Sequence, residues 1–263
     1  IGVRLVGSEM CIRDRYIMLY LYIEVYFMDE RFIRTINLIG KDQFKILKHA
    51  KVLVIGIGGV GGYVVEMFAR CGIGQIDLMD HDTISTSNIN RQIIATIGSI
   101  GEYKVDVMKK RILEINPNCI VHTSKTFLLK ENIDNLCVEN YDYVVDAIDT
   151  ISTKLAIIEK CHQFNIPLIS SMGTGNKMHP EFLEITDISK TSVCPLARII
   201  RYELRKRGIH HLKVCYSKEV PIKKYITIDN SNKHIPSSIA FVPSMAGILI
   251  ASAVINSLIN EKG

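Results

Sequence analysis

The chain has 263 residues, of which 48% are hydrophobic and 22% charged, with no low-complexity tract or internal repeat; this describes an ordinary soluble protein and excludes a disordered or fibrous one. The formal net charge of +5 permits a nucleic-acid partner without requiring one, since the placement of charge matters more than its sum. Seven cysteines, at positions 11, 71, 119, 137, 161, 194 and 215, form no C-x-x-C pair, which argues against structural zinc and for a reduced, cytoplasmic setting.

The first 27 residues read differently from the rest. "IGVRLVGSEMCIRDRY" has no usable periodicity, and "SEMCIRDRY" resembles a translated sequencing adapter, so residues 1–27 are expected to be a non-native or disordered leader with the natural start at Met28. Residues 16–28 are apolar but short and carry Glu24, which makes a poor membrane span and a poor secretory signal. A single domain is expected over 28–263, with a nucleotide-binding half at 28–170 and a substrate-binding part at 171–263.

After a helical lead, "DQFKILKHA", the pattern alternates strand and helix. Strands are predicted at 51–56, 75–80, 119–123, 141–146 and 166–170. The run from Lys51 to Ile55 is apolar without alternation, as suits a parallel strand buried on both faces. "GIGGVGG" comes next, and then Val60, Val64, Met67 or Phe68, and Cys71 recur at helical spacing up to Gly72 and Gly74. Met108, Ile112 and Ile115 mark a second helix, and Leu155, Ile158 and Cys161 or His162 a third. The alternation predicts an α/β fold of Rossmann-like kind, a mostly parallel sheet with helices on both faces and ligands at the carboxyl ends of the strands.

Beyond Ser170 the rhythm changes to a smaller mixed part: an antiparallel strand at 182–186, a helix near 195–207 and a strand near 212–216. That helix carries Arg198, Arg201, Arg205, Lys206 and Arg207, the sharpest positive cluster in the chain, which suits either a solvated face or a phosphate backbone. The segment 239–259 has no charge and is long enough to cross a membrane. Pro243 and four polar residues dilute it, so the preferred expectation is a strand followed by a helix buried beneath the sheet, with membrane association disfavoured.

A strand, glycine turn and helix aim backbone N–H groups and a positive helix end at an anion, with Gly56, Gly58, Gly59 and Gly61 in the turn. Gly58 permits close approach to phosphate and Gly61 close packing of helix on strand. This much serves a dinucleotide or a triphosphate equally. Asp80, at the end of the second strand, can accept from ribose hydroxyls in either case. The loop after that strand discriminates: "DHDTISTSNINRQ" brings Asp82, Asn88 and Arg91, and Lys104 opens the next helix, a fork and a point charge suited to a chain of phosphates. Asp146 and Asp149, at and after the end of the fourth strand, fit a magnesium ion shared with phosphates.

"GIGGVGG", "DHDTISTSNINRQ", "INPN" and "DAIDT", in that order, resemble the adenylating domain shared by ubiquitin-activating enzymes and the bacterial adenylyltransferases of thiamine and molybdopterin synthesis. The resemblance implies that Gly59 and its neighbours bind phosphate, that Asp80 holds ribose, that Asn88, Arg91 and Lys104 contact phosphates, and that Asp149 serves Mg2+. It also implies an N-terminal arginine that reaches into a partner subunit's site, here Arg34 or, second, Arg31. Sulfur-carrier members usually hold zinc on two C-x-x-C pairs, absent here. "TDISKTSVCPLARIIRYELRKRGI", "YSKE" and "SIAFVPSMAG" instead resemble the tRNA threonylcarbamoyladenosine dehydratases, which extends the likeness over almost all of 28–260.

That resemblance implies ATP-dependent cyclisation of a tRNA nucleoside beside the anticodon through a carboxylate adenylate, with ATP and Mg2+ as cofactors, tRNA rather than DNA as partner, a homodimer, and in some relatives a cysteine desulfurase partner. Arg91, Lys104, Asp149 and Arg34 are then the catalytic candidates, and the basic helix the tRNA-binding one. A thiol route through Cys194 or Cys215 is weighed and set behind a direct one, since the sequence shows no local base or positive helix end for either. Two alternatives stay open: adenylation of the C-terminus of a ubiquitin-like sulfur carrier, and an NAD-binding redox or sensor module, which needs neither Lys104 nor Asp149.

Overall fold

The computed structural model describes residues 30–222, 227–228 and 234–261, and the expected leader at 1–27 lies outside them. Chain contacts divide at position 41 into two units. In the first, α1 (Ile33–Ile39) follows a short 3-10 turn and ends at Gly40, whose N–H donates to Ile36 O at 2.8 Å. Arg34 is exposed on this helix.

α2 (Lys41–His49) leads into the second unit and its sheet. The strands are β1 (Lys51–Ile55), β2 (Gln75–Met79), β3 (Ile120–Ser124), β4 (Tyr143–Asp146), β5 (Leu168–Ser171), β6 (Leu183–Asp187) and β7 (Lys213–Ser217). They lie in the order β3-β2-β1-β4-β5-β7-β6, all parallel except β6, which runs antiparallel to β7 with Ile185 opposite Cys215. The seven strands expected between positions 51 and 216 are each present within about two residues. The mixed edge beyond β5 is the change of rhythm that the sequence shows after Ser170. A two-residue pairing, β8 (Thr227–Ile228) with β9 (His234–Ile235), stands apart from the sheet.

The apolar runs do what their periods dictate. Val52 to Ile55 and Tyr143 to Val145 are buried at the centre, where strand order reverses between β1 and β4. α3 (Gly61–Cys71), α4 (Lys104–Ile115), α5 (Ile151–Gln163) and α6 (Pro195–Lys206) cover the sheet. α3 buries Val64, Val65 and Phe68 and stops at Gly72, whose left-handed φ of 85° suits glycine. α6 buries Ala197, Ile200 and Leu204 at helical spacing against Val214 and Tyr216 of β7, in one cluster with Leu155 and Ile158 of α5.

The segment 239–259 corrects the expectation. It holds no strand; α7 runs unbroken over Phe241–Glu261. Pro243 falls in its first turn, where the missing N–H removes no helical bond, so the proline opens this helix and does not divide it. Half of its apolar span is buried in the fold. Val242, Ile250, Val254 and Leu258 are buried, about 1.5–3 kcal/mol each. Gly247 lets the helix approach α3 closely: a Cβ there would stand 2.5 Å from Val60 O and 2.8 Å from Tyr63 Cβ.

Candidate adenylation site

A cleft of about 370 Å3 opens at the carboxyl ends of the parallel strands, where the strand order reverses. Five of the parallel strands contribute residues just beyond their ends: Gly56, Gly58 and Gly59 after β1, Asp80 to Asp82 after β2, Thr126 to Leu128 after β3, Ala147 to Thr150 after β4, and Thr174 after β5. Asn88, Arg91, Gln92 and Lys104 close one side, and Ser238 and Pro243 another.

The glycine turn is built by close contact. Gly56 holds φ at +91°, and a Cβ on Gly61 would lie 1.8 Å from Gly56 O, so the first turn of α3 can sit on the end of β1 only without a side chain there. Asp80 fixes the turn from below. Its Oδ2 accepts from Ile57 N–H at 2.6 Å and its Oδ1 from Asp82 N–H at 2.9 Å, leaving further lone pairs on both oxygens for a hydroxyl.

Lys104 is the first residue of α4, buried, with Nζ 2.6 Å from Asp82 Oδ2; Asp82 also lies 3.1 Å from His81 Nε2. The lysine that the sequence suggests as a point charge is therefore aimed by a carboxylate, and Asp82 serves the site through it. Arg91 NH1 donates to Ser87 O at 2.9 Å and Asn90 Oδ1 at 2.8 Å, and Asn90 Nδ2 donates to Ser238 O at 3.0 Å, which ties this loop to the far wall. Asn88 Oδ1 accepts from Ser85 N–H at 3.1 Å in a capping turn. Gln92 is buried on the wall, and its Oε1 has no hydrogen-bond partner among the described residues. An unmet buried acceptor costs about 1–3 kcal/mol, which a donor on a bound ligand offsets.

Asp149 is exposed at the cleft, with only a 3.5 Å contact from Thr150 Oγ1 to its Oδ1. One free carboxylate facing a polar cleft fits the way Mg2+ is bound, through one or two carboxylates together with phosphates. Asp146 is different. It is wholly buried and accepts from Lys154 Nζ at 2.7 Å and Ser170 Oγ at 2.6 Å, so it holds the loop and offers nothing to the cleft. Among the described residues, Asp80, His81 and Asp82 form the one trio of potential metal ligands close together, but the backbone and Lys104 already engage its carboxylates.

The ThiF family pattern matches residues 31–263. The chain belongs to the ThiF family. One curated ThiF-fold relative, the tRNA threonylcarbamoyladenosine dehydratase of Bacillus subtilis, is 41% identical over 245 residues, covering 89% of this chain and 96% of that protein. The crystal structure of the Escherichia coli tRNA N6-threonylcarbamoyladenosine dehydratase in complex with ATP superposes with a TM-score of 0.81 at 31% identity, over 89% of this chain and 95% of that one. Its complex with AMP gives the same TM-score at 32% identity.

Within this ThiF-family cleft the structure gathers Gly56, Gly58, Gly59, Asp80, Asp82, Asn88, Arg91, Lys104 and Asp149 around one cavity; Gly61 acts from behind it. Thr126, Phe127, Thr174, Ser238 and Pro243 also line the cleft, with no signal in the sequence motifs to mark them. Phe127 is half exposed with its ring edge-on to His81 at 4.2 Å, an apolar wall suited to a base. Its signal was its place just past the third strand, where ligands gather in open α/β sheets.

The two weighed cysteines are both buried. Burial pushes the Cys215 thiol up to about 12, which leaves it protonated at neutral pH. Cys194 differs from expectation: it occupies the N-cap position of α6, without a side-chain capping bond, and so does stand at a positive helix end. Lys177, buried nearby on the 172–179 segment with Nζ 3.4 Å from Ser217 O, is held below the usual lysine range by desolvation. Glu219 clamps the same segment by accepting from Met178 and His179 N–H at 2.9 Å each.

Proposed function

We propose that this chain uses ATP to cyclise the threonylcarbamoyl group of an adenosine beside the anticodon of tRNA. The carrying observation is that glycine turn, Asp80, Arg91, Lys104 and Asp149 share one cleft at the strand-order reversal, in a fold like that of a relative solved with ATP. The threonyl carboxylate attacks the α-phosphorus, an acyl-adenylate forms, and pyrophosphate leaves. The carbamoyl group of the same side chain then attacks the activated carbonyl and AMP departs, so one water is lost overall.

The residues divide the work. The N–H groups of the glycine turn and the N-terminus of α3 cradle phosphate, and Asp80 accepts from ribose. Arg91 and Lys104 face the charge that spreads onto the leaving pyrophosphate, and Asp82 keeps Lys104 in place before the reaction starts. Asp149 would hold Mg2+ against the phosphates, where the ion supplies further neutralisation of that charge. Ring closure needs orientation more than a base, because nucleophile and electrophile belong to one substituent. A homodimer in which Arg34 enters the neighbouring cleft, a cytoplasmic setting, and tRNA held by the basic face of α6 complete the reading.

The test is incubation of purified protein with ATP and tRNA, followed by digestion and mass measurement of the nucleosides. Loss of one water from the threonylcarbamoyl nucleoside, with AMP and pyrophosphate in equal amounts, is expected. Exchange of labelled pyrophosphate driven by a ubiquitin-like carrier and not by tRNA would overturn the reading.

A further inference from the structure

The five cations on and just after α6 do not present one uniform face. Arg201 turns inward, and NH1 donates to Thr191 O at 2.8 Å and to Thr191 Oγ1, so it braces the preceding loop. Arg207 is paired with Glu159 at 2.6 Å and Glu203 at 2.8 Å, and Lys206 with Glu203 at 3.0 Å. These hydrogen bonds hold the Glu203 carboxyl below its usual range and leave those two cations largely matched. Arg198 and Arg205 remain, both exposed, and their guanidinium groups have no ion pair or hydrogen bond among the described residues.

Both line a groove of about 790 Å3 between α6 and the loop at 192–194. Seven residues apart, they sit on one helix face about 10.5 Å from each other along the axis. Tyr202 lies between them on the same face, 61% exposed, with Lys206 Nζ 4.2 Å from its ring centroid. Ile199 and Val193 supply exposed apolar surface beside it, and Val193 is held at a φ of +41°, a backbone rarely taken by a β-branched residue. The groove also adjoins the cleft: a Cβ built on Gly173 would lie 3.9 Å from Sγ of the groove-lining Cys194, and the next residue, Thr174, lines the cleft.

We propose that this groove receives an unpaired stretch of the RNA substrate, with Arg198 and Arg205 on successive phosphates and Tyr202 stacked on a base between them. The inference rests on the proposed reaction on tRNA and names the surface and the form of RNA. Two unmatched guanidinium groups call for an anionic occupant, and an exposed ring between them calls for a flat apolar one; an unpaired nucleotide run offers both. A duplex keeps its bases stacked inside and would leave the ring unused.

Binding of an anticodon stem-loop RNA, and of the same RNA annealed into a duplex, is measured by fluorescence anisotropy over a range of salt for the full chain. The unpaired form is expected to bind tighter. R198A/R205A should weaken it about tenfold or more and reduce the salt slope by about 1.4, the value for two single-strand phosphates. Y202L should weaken it about tenfold at unchanged salt slope, while Y202F retains wild-type binding. ATP binding, and the exposed control Lys110→Ala, should be unaffected throughout. Equal affinity for duplex and loop, or variants that bind and cyclise like the wild type, would overturn the groove while leaving the reaction intact. A wild type that binds the loop but never removes water would overturn the reaction instead. A groove closed by a second copy would appear as a variant-sensitive dimer in sedimentation with unchanged RNA affinity, and also overturns the proposal.

Discussion

Lys154 Nζ lies 2.7 Å from Asp146 Oδ2 at a place where neither side chain meets solvent. The lysine also donates to Ser170 Oγ and Ser171 O, both at 3.0 Å, so all three of its protons are used, and Asp146 Oδ1 takes the N–H of Ile148 at 3.3 Å. A helix side chain thereby pins the ends of β4 and β5 and the loop that carries Asp149. Removing one partner strands a buried charge: Lys154→Met should cost about 3–5 kcal/mol. Removing both, with Asp146→Leu added, should recover most of that loss in urea titration. A simple sum of the two single effects would mean that the pair does not act as a unit.

The aimed lysine makes a graded prediction. Lys104→Ala removes charge from the cleft and should raise the barrier to pyrophosphate exchange by about 3 kcal/mol. Asp82→Asn leaves the charge but loosens its aim, so its effect on kcat should be smaller than that of Lys104→Ala. Equal losses would show that Asp82 contacts the nucleotide directly.

A Cβ at Gly61 has no room, and Gly61→Ala should lose roughly 3 kcal/mol or more of stability together with ATP affinity. Gly98, whose Cβ would meet nothing within 4 Å, provides the matched control: Gly98→Ala should leave ATP affinity as it is. Isothermal calorimetry and thermal unfolding of the two variants side by side decide the matter.

Cys215 should be inert. With its thiol pushed up to about 12, it should react with a disulfide probe at pH 8 only after denaturant exposes it, and Cys215→Ser should retain cyclisation. Cys194→Ser is expected to retain it as well, because the direct route needs no thioester. Loss of cyclisation with persistent adenylate in either variant would move the acyl group through sulfur.

Acid should loosen the joint between α3 and α4. Burial favours neutral Glu66, but hydrogen bonds from Arg111, at 2.6 and 2.9 Å, and from Arg70 outweigh it and hold the carboxyl below its usual range. A folded-state value below the unfolded one means that the stabilisation is complete above the ordinary glutamate value of about 4.3 and disappears as pH falls through the depressed one. The stability gap between wild type and Glu66→Gln, followed by urea midpoints, should therefore be widest near neutrality and close on acidification.

The sheet was legible because Val52 to Ile55 and Tyr143 to Val145 are runs with no polar alternation, a pattern that burial on both faces requires. The polar half of the cleft was legible for a related reason: Asp80 to Lys104 concentrates acids, amides and cations where the strands end. Its other half was not. Thr126 and Phe127 carry no charge and no special backbone, and Ser238 and Pro243 reach the cleft from far along the chain, a proximity that only tertiary packing creates. Pro243 misled because a proline in a helix's first turn and one that ends a strand look alike in a string of letters. Arg201 misled because helical spacing shows which residues share a face but not which side chain bends back to bond a neighbouring loop.

α7 is translated after every strand of the sheet, yet Pro243 comes within 3.2 Å of where a side chain on Gly59 would begin, and Gly247 seats the helix on the opening of α3. A nascent chain still lacking this helix already holds β1 through β7 while the glycine turn has no backing. Competence for nucleotide should thus arise abruptly and late in synthesis, so that fragments released early hold no ATP to squander.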